Sequence, residues 1–152
     1  MLFKRLSEND LKELEKEFVE FLVLNGITAD DWLKLKKEKP QNASKIVDSF
    51  SDTVYAGYMR SVKYIEHITA QEILCFYCQP TQIVLVGIST DQPIDFTKME
   101  SHAELGSWLK ELEVFTKTKV YSEAREVEIF KMIENGAKPA NGELFNLLCL
   151  AL

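Results

Sequence analysis

The sequence predicts an α+β fold: a three-stranded antiparallel meander over residues 61–89, packed with about five to six helices, with an all-helical N-terminal half. Three observations predict it. Residues 7–60 repeat apolar side chains at helical spacing. From residue 61 the period drops to two, as a strand demands, because successive side chains point to opposite faces. The links at Thr69–Glu72 and around Pro80 are too short for the long crossover that parallel strands need.

Taken in order, Ser7 opens the first helix, with Asp10 three residues on in the manner of a capping box. Leu11, Leu14, Phe18, Phe21 and Leu22 share its inner face, and Gly26 stops it. Thr28 and Asp31 begin a short second helix carrying Trp32 and Leu35, which Pro40 ends. Asn42 caps a third, running to about Met59, with Ile46, Val47, Phe50, Val54 and Tyr58 inward and Asp48, Asp52, Tyr55 and Met59 on the other face.

Residues 61–68 form an edge strand punctuated by Lys63, Glu66 and His67. Residues 73–79 and 82–89 are apolar on both faces, so both faces need cover, from the C-terminal helices or from another subunit. A polar loop over 90–100 leads to a capping box of Ser101 and Glu104. The helix it starts puts Leu105, Trp108, Leu109, Leu112 and Phe115 on one stripe. Residues 116–120 have the pattern of a short strand; Ser122 caps a helix that Gly136 ends; residues 137–142 are a turn-rich connector; and the tail from Glu143 is apolar all round.

The 152 residues make one domain, helical over 7–60, stranded over 61–89 and helical over 101–152, with no repeat and no linker long enough to divide it. Net charge is −6, of which residues 61–152 supply −5. An acidic chain repels phosphate backbones, so no nucleic-acid partner is expected. The one basic cluster, Lys34, Lys36, Lys37 and Lys39, is broken by Glu38 and reads as a solvated helix face. The longest apolar stretch, Leu147–Leu152, falls far short of the ~20 residues that span a bilayer. With three cysteines in apolar runs and no signal-peptide pattern, a soluble cytoplasmic protein without a membrane partner is expected.

Chemistry-bearing motifs are few. Cys75 and Cys78 spell C-x-x-C, but a spacing of three within a strand sends the thiols to opposite faces, which gives two core thiols and no metal. Neighbouring Glu66 and His67 point apart for the same reason, though His67 lies where a site can be built and can serve as base, ligand or switch. His102 falls in a first helical turn and reads as solvated. Asp48 and Asp52, four apart and one turn from Tyr55, make either a cation or acid/base pair or a solvated face beside Lys45. No Gly-rich phosphate loop and no nucleophile elbow occurs, and no cofactor is expected. Tyr55, Tyr58, Tyr64, Phe76 and Tyr77 gather near Arg60 and Lys63, a pattern that stacks bases or, better matched to the charge, forms core or a protein interface.

The segment ELEKEFVEFLVLNGITADDW, with the blocks YIEH (64–67), CQPTQIVLVG (78–87) and NGELFNLL (141–148), resembles a small family of uncharacterised bacterial proteins, mostly of Bacteroidetes type. The resemblance spans nearly the whole chain. It implies a bacterial cytoplasmic protein and brings no activity, cofactor or catalytic residue with it.

The expected function is a non-enzymatic protein-interaction or binding module, since no set of nucleophile, base and oxyanion donors converges. Its candidate surface lies between helix 42–59 and the edge strand, with Asp52, Tyr55, Arg60, Glu66 and His67 near it. The alternative is a small hydrolase-like enzyme using His67 with a nearby carboxylate. The apolar tail Leu147–Leu152 adds an expectation of self-association as a two-fold dimer.

Overall fold

The computed structural model describes residues 1–152, and its internal contacts divide the chain into two compact units, Met1–Tyr58 and Met59–Leu152.

The first unit is helical: α1 (Glu8–Glu13), α2 (Glu15–Leu24), α3 (Ala29–Glu38) and α4 (Pro40–Ser61), whose last three residues belong to the second unit. The Ser7 side chain accepts from the Asp10 N–H, as expected. The single helix expected up to Gly26 is two, because the backbone at Leu14 leaves the helical region (φ −100°, ψ 20°). Hydrogen bonds from Leu14 N to Asp10 O and from Phe18 N to Leu14 O still pass through the distortion. Gly26 takes a positive φ of 73° and closes α2 with the Ile27 N–H bonded back to Leu22 O, an arrangement only glycine adopts without strain.

Thr28 and Asp31 form both bonds of a capping box on α3. Pro40 does not merely end that helix: it is the first residue of α4, and Asn42 is not the cap. Ala43 N bonds to Lys39 O, so proline sits where its missing N–H costs nothing and its fixed φ already suits a helix. Phe18, Phe21, Trp32 and Phe50 supply the aromatic core, with ring centroids 5.0–5.4 Å apart where they touch.

The second unit is a five-stranded, wholly antiparallel sheet of order β4-β3-β2-β1-β5, with β1 Tyr64–Ile68, β2 Glu72–Cys78, β3 Gln82–Ser89, β4 Val114–Val120 and β5 Lys138–Ala140. A 3-10 turn (Phe96–Lys98) and helices α5 (His102–Trp108), α6 (Arg125–Glu134) and α7 (Glu143–Cys149) complete it. The expected three strands are therefore the centre of a larger sheet. β1 is no edge over Tyr64–Glu66, where β5 pairs with it. Proline at position 139 is tolerated because β5 is itself an edge strand and need not donate outward.

Register separates the two faces. Ile73, Cys75, Val86 and Ile88 are buried together with Phe96, Leu105, Leu144 and Leu148, so α5 and α7 cover this face. Tyr64 and Tyr77 stack at 4.8 Å beneath Phe145. On the reverse face Ile65, Cys78 and Ile83 are buried and α6 lies over the sheet, its Glu128 paired with Lys119 and the turn after it, at Gly136, against His67. Helices from the C-terminal part thus serve both faces. The apolar tail divides: Leu148 is fully buried, whereas Leu150 is 85% and Leu152 59% exposed.

Two expected caps do not form. The Ser101 hydroxyl makes no cap bond, and the Glu104 carboxylate instead accepts from Glu100 N–H. Ser122 does not cap α6. The buried Glu128 carboxylate takes both its N–H and its hydroxyl, and the helix starts at Arg125. The stripe expected through Phe115 breaks after Trp108, and Phe115 lies on β4 opposite Gly87.

Candidate functional site

At one end of the sheet, the β2–β3 turn meets the end of α4 and the start of α6, all within the second unit. Gln79 and Gln82 close the turn with a backbone bond (Gln79 N to Gln82 O, 3.0 Å) and a side-chain bond (Gln82 Nε2 to Gln79 Oε1, 2.8 Å). Arg125 locks it in place. Its guanidinium donates to the carbonyls of Met59 (3.1 Å), Val62 (2.5 Å), Cys78 (3.0 Å) and Gln79 (3.3 Å). The Tyr121 hydroxyl donates to the same Gln79 carbonyl at 2.7 Å. Burial, reinforced by the Cys78 sulfur and partly offset by Arg125, pushes the Tyr121 hydroxyl up to about 12, so it stays a neutral donor.

Beside this knot lies a cavity of about 530 Å³. Tyr77 and Cys78, from opposite faces of β2, and Pro80 of the turn each add apolar surface to its wall; exposed Arg60 and Lys63 line it too, with Arg125 and Glu126 completing it. Arg60 and Lys63 are solvent-exposed and neither is held in an ion pair, while Arg125 approaches Glu126 at 3.7 Å. The size is that of a small-molecule site, and the chemistry is that of an anion receptor with an apolar side.

The residues predicted from sequence fall in different places. In the first unit, Asp52 accepts from the backbone N–H groups of Leu2 (2.8 Å) and Phe3 (3.0 Å). Tyr55 packs against Phe3 with Lys4 over its ring, Asp48 pairs with Arg5, and the Ser51 hydroxyl accepts from Leu6 N. These polar residues of α4 strap residues 2–6 along the helix.

In the second unit, Arg60 belongs to the cavity just described. Glu66 lines a separate one of about 500 Å³ with His102 and Glu143. Burial raises the Glu66 carboxyl above its usual range, His102 opposes the shift and Glu143 adds to it. His67 is on the other face of the sheet, with Gly136 over its ring. Arg60, Glu66 and His67 therefore share no pocket. Glu66 and His67 part as strand neighbours must, and the histidine that comes near Glu66 is His102. Cys75 and Cys78 are free, buried and on opposite faces, and burial pushes the Cys78 thiol up to about 11 and Cys75 higher still. Such thiols are poor nucleophiles and poor ligands.

Sequence reasoning missed Arg125, although one signal marks it. It stands in the first turn of a helix, where the dipole disfavours a cation, so something else must hold it there. Here that something is a ring of backbone carbonyls.

A family model, described as a family of unknown function (DUF6495), matches residues 1–152, and the chain belongs to that family. No curated protein and no solved structure matches it significantly.

Proposed function

We propose that this member of the DUF6495 family is a non-enzymatic binding module that receives an anionic group in the cavity at the β2–β3 turn. One observation carries this: two unpaired cations, Arg60 and Lys63, flank an apolar wall held rigid by the Arg125 knot, in a chain of net charge −6. Cations that serve solubility alone have no reason to gather at a preformed concavity of an acidic protein. The hydrolase-like alternative built on His67 loses support from the geometry, because its neighbour Glu66 faces away across the sheet. Free Cys75, Cys78 and Cys149 favour a reducing, cytoplasmic setting, and the blocks quoted from the sequence favour a bacterial one. No helix is long and apolar enough to cross a membrane.

Calorimetric titration with sodium benzoate and with inorganic phosphate tests the proposal. The wild type binds at least one of them, the Arg60→Gln/Lys63→Gln double variant loses that binding, and His67→Ala keeps it. Equal heats in wild type and double variant overturn it.

A further inference from the structure

We infer that the group this cavity takes is a small-molecule phosphomonoester, an assignment that rests on the anion-receptor reading above and narrows it. The first step is a charge count. Arg60, Lys63 and Arg125 bring three positive charges to the cavity and Glu126 one negative, which leaves two positive charges to be matched. A carboxylate brings one negative charge. A phosphomonoester brings about −1.5 to −2 at neutral pH, with three acceptor oxygens.

The second step is the division of donors. Arg125 has spent its guanidinium on the carbonyls of Met59, Val62, Cys78 and Gln79, so it contributes field but few free N–H groups. Arg60 and Lys63 have theirs to give. Arginine offers a planar fork that grips two oxygens of a phosphate, and lysine offers a point charge for a third. Two exposed, uncommitted donors and one fixed cation suit a tetrahedral dianion better than a planar monoanion.

The third step is the wall. Tyr77 and Cys78 leave β2 on opposite faces, yet at this end of the sheet both, with Pro80 of the turn, add apolar surface to the lining, and inorganic phosphate would leave that apolar side wet. An ester carrying a compact apolar body covers that side and keeps its charged end at the rim. The volume of about 530 Å³ accommodates such a molecule. Glu126 gives the assignment a sign that a merely sticky cationic patch lacks. It is the one carboxylate on the lining, so removing its charge strengthens dianion binding more than monoanion binding.

The experiment titrates the full chain with phenyl phosphate, benzoate and inorganic phosphate under one buffer and salt. Phenyl phosphate binds at least about ten-fold tighter than either of the others. Arg60→Gln and Lys63→Gln each weaken it roughly ten-fold, the usual loss with a charge-assisted hydrogen bond. Glu126→Gln tightens it. Benzoate binding as well as phenyl phosphate, or better, overturns the phosphomonoester assignment and leaves the anion receptor standing. Inorganic phosphate matching phenyl phosphate overturns the role of the apolar wall, and the assignment with it. If none of the three binds, both the assignment and the receptor are overturned. Arg60 and Lys63 are exposed, so their variants keep the fold and a loss reports binding.

Discussion

Replacing Arg125 by methionine removes the cation that gathers four carbonyls from three parts of the second unit. Two of those carbonyls retain a donor: Met59 O keeps the Val62 N–H at 3.2 Å, and Gln79 O keeps the Tyr121 hydroxyl at 2.7 Å. The loss falls on Val62 O, in a residue only 5% exposed, and on Cys78 O, in a residue 3% exposed. At about 1.5–3 kcal/mol for each bond to a charged donor, the two amount to roughly 3–6 kcal/mol. Water entering from the adjoining cavity recovers part, since the Arg125 side chain is 14% exposed, which leaves about 3–4 kcal/mol. Urea denaturation reads this directly, and the melting temperature falls by about 10 °C on the scaling for domains of this size. Arg125→Lys recovers about half, because an ammonium reaches one or two of the carbonyls but cannot span all four. A methionine variant within about 1 kcal/mol of wild type would refute the reasoning, since carbonyls stranded without a donor cannot cost so little.

Four further outcomes follow from other parts of the fold. Gly87→Ala costs about 2–3 kcal/mol in denaturation, because the new Cβ meets Ile73 O at 2.9 Å and Phe115 Cζ at 2.8 Å, and the backbone oxygen cannot yield; Gly106→Ala, with nothing within 4 Å, stabilises by ~0.5–1 kcal/mol as its control. Burial works to raise the Glu128 carboxyl but is outweighed by Lys119 and Ser122, so the group sits below its ordinary 4.5; its contribution to stability is complete above that value and is lost as pH falls through the folded one, a loss absent in Glu128→Gln, which pH-dependent denaturation checks. Glu66, raised by burial with His102 opposing and Glu143 adding, has the opposite sign: its contribution is complete below 4.5 and is lost as pH rises through the folded value, so Glu66→Gln is more stable than wild type at pH 7 and the gain disappears in acid. Light scattering at micromolar concentration gives the mass of two chains, with exposed Leu150 and Leu152 available to the contact, and the mass of one chain there removes the dimer.

The central strands were legible because residues 73–78 and 83–88 are apolar on both faces, a pattern that only a doubly covered strand satisfies. Of the flanking strands, β4 showed only faintly, as the short strand expected over 116–120, and β5 not at all. β4 reads Val-Phe-Thr-Lys-Thr-Lys-Val: most of its length is exposed, so no burial imposes an apolar period, and lysines guard its open edge. β5 is three residues long with a proline in the middle, which in isolation reads as a turn. One cap was misread because a buried group took the same hydroxyl: Ser122 goes to Glu128, whereas Ser7 and Thr28, with no such rival, cap as written. Asp52 read as half of a carboxylate pair, a solvated face or part of a binding surface, because a sequence does not reveal that its partner is the backbone of Leu2 and Phe3.

The residues that meet in the second unit are distant in sequence, and those adjacent in sequence are parted. Glu66 and His67, like Cys75 and Cys78, are split by strand parity, while Arg125 reaches Met59 and Lys119 reaches Glu128. Among the cations at the turn this produces two kinds of work in one place. Arg125 is spent on carbonyls and holds the cavity's shape; Arg60 and Lys63, spent on nothing, remain to hold a ligand. The two roles separate by measurement. Arg60→Gln and Lys63→Gln leave the denaturation midpoint within about 0.5 kcal/mol of wild type, as surface substitutions do, yet weaken anion binding. Arg125→Lys lowers stability first and affinity only through the shape it no longer enforces, so phenyl phosphate restores part of the lost stability in that variant by binding the folded state alone. If Arg60→Gln destabilised the fold as much as Arg125→Lys, both arginines would be structural, and Lys63 alone would be left for the anion.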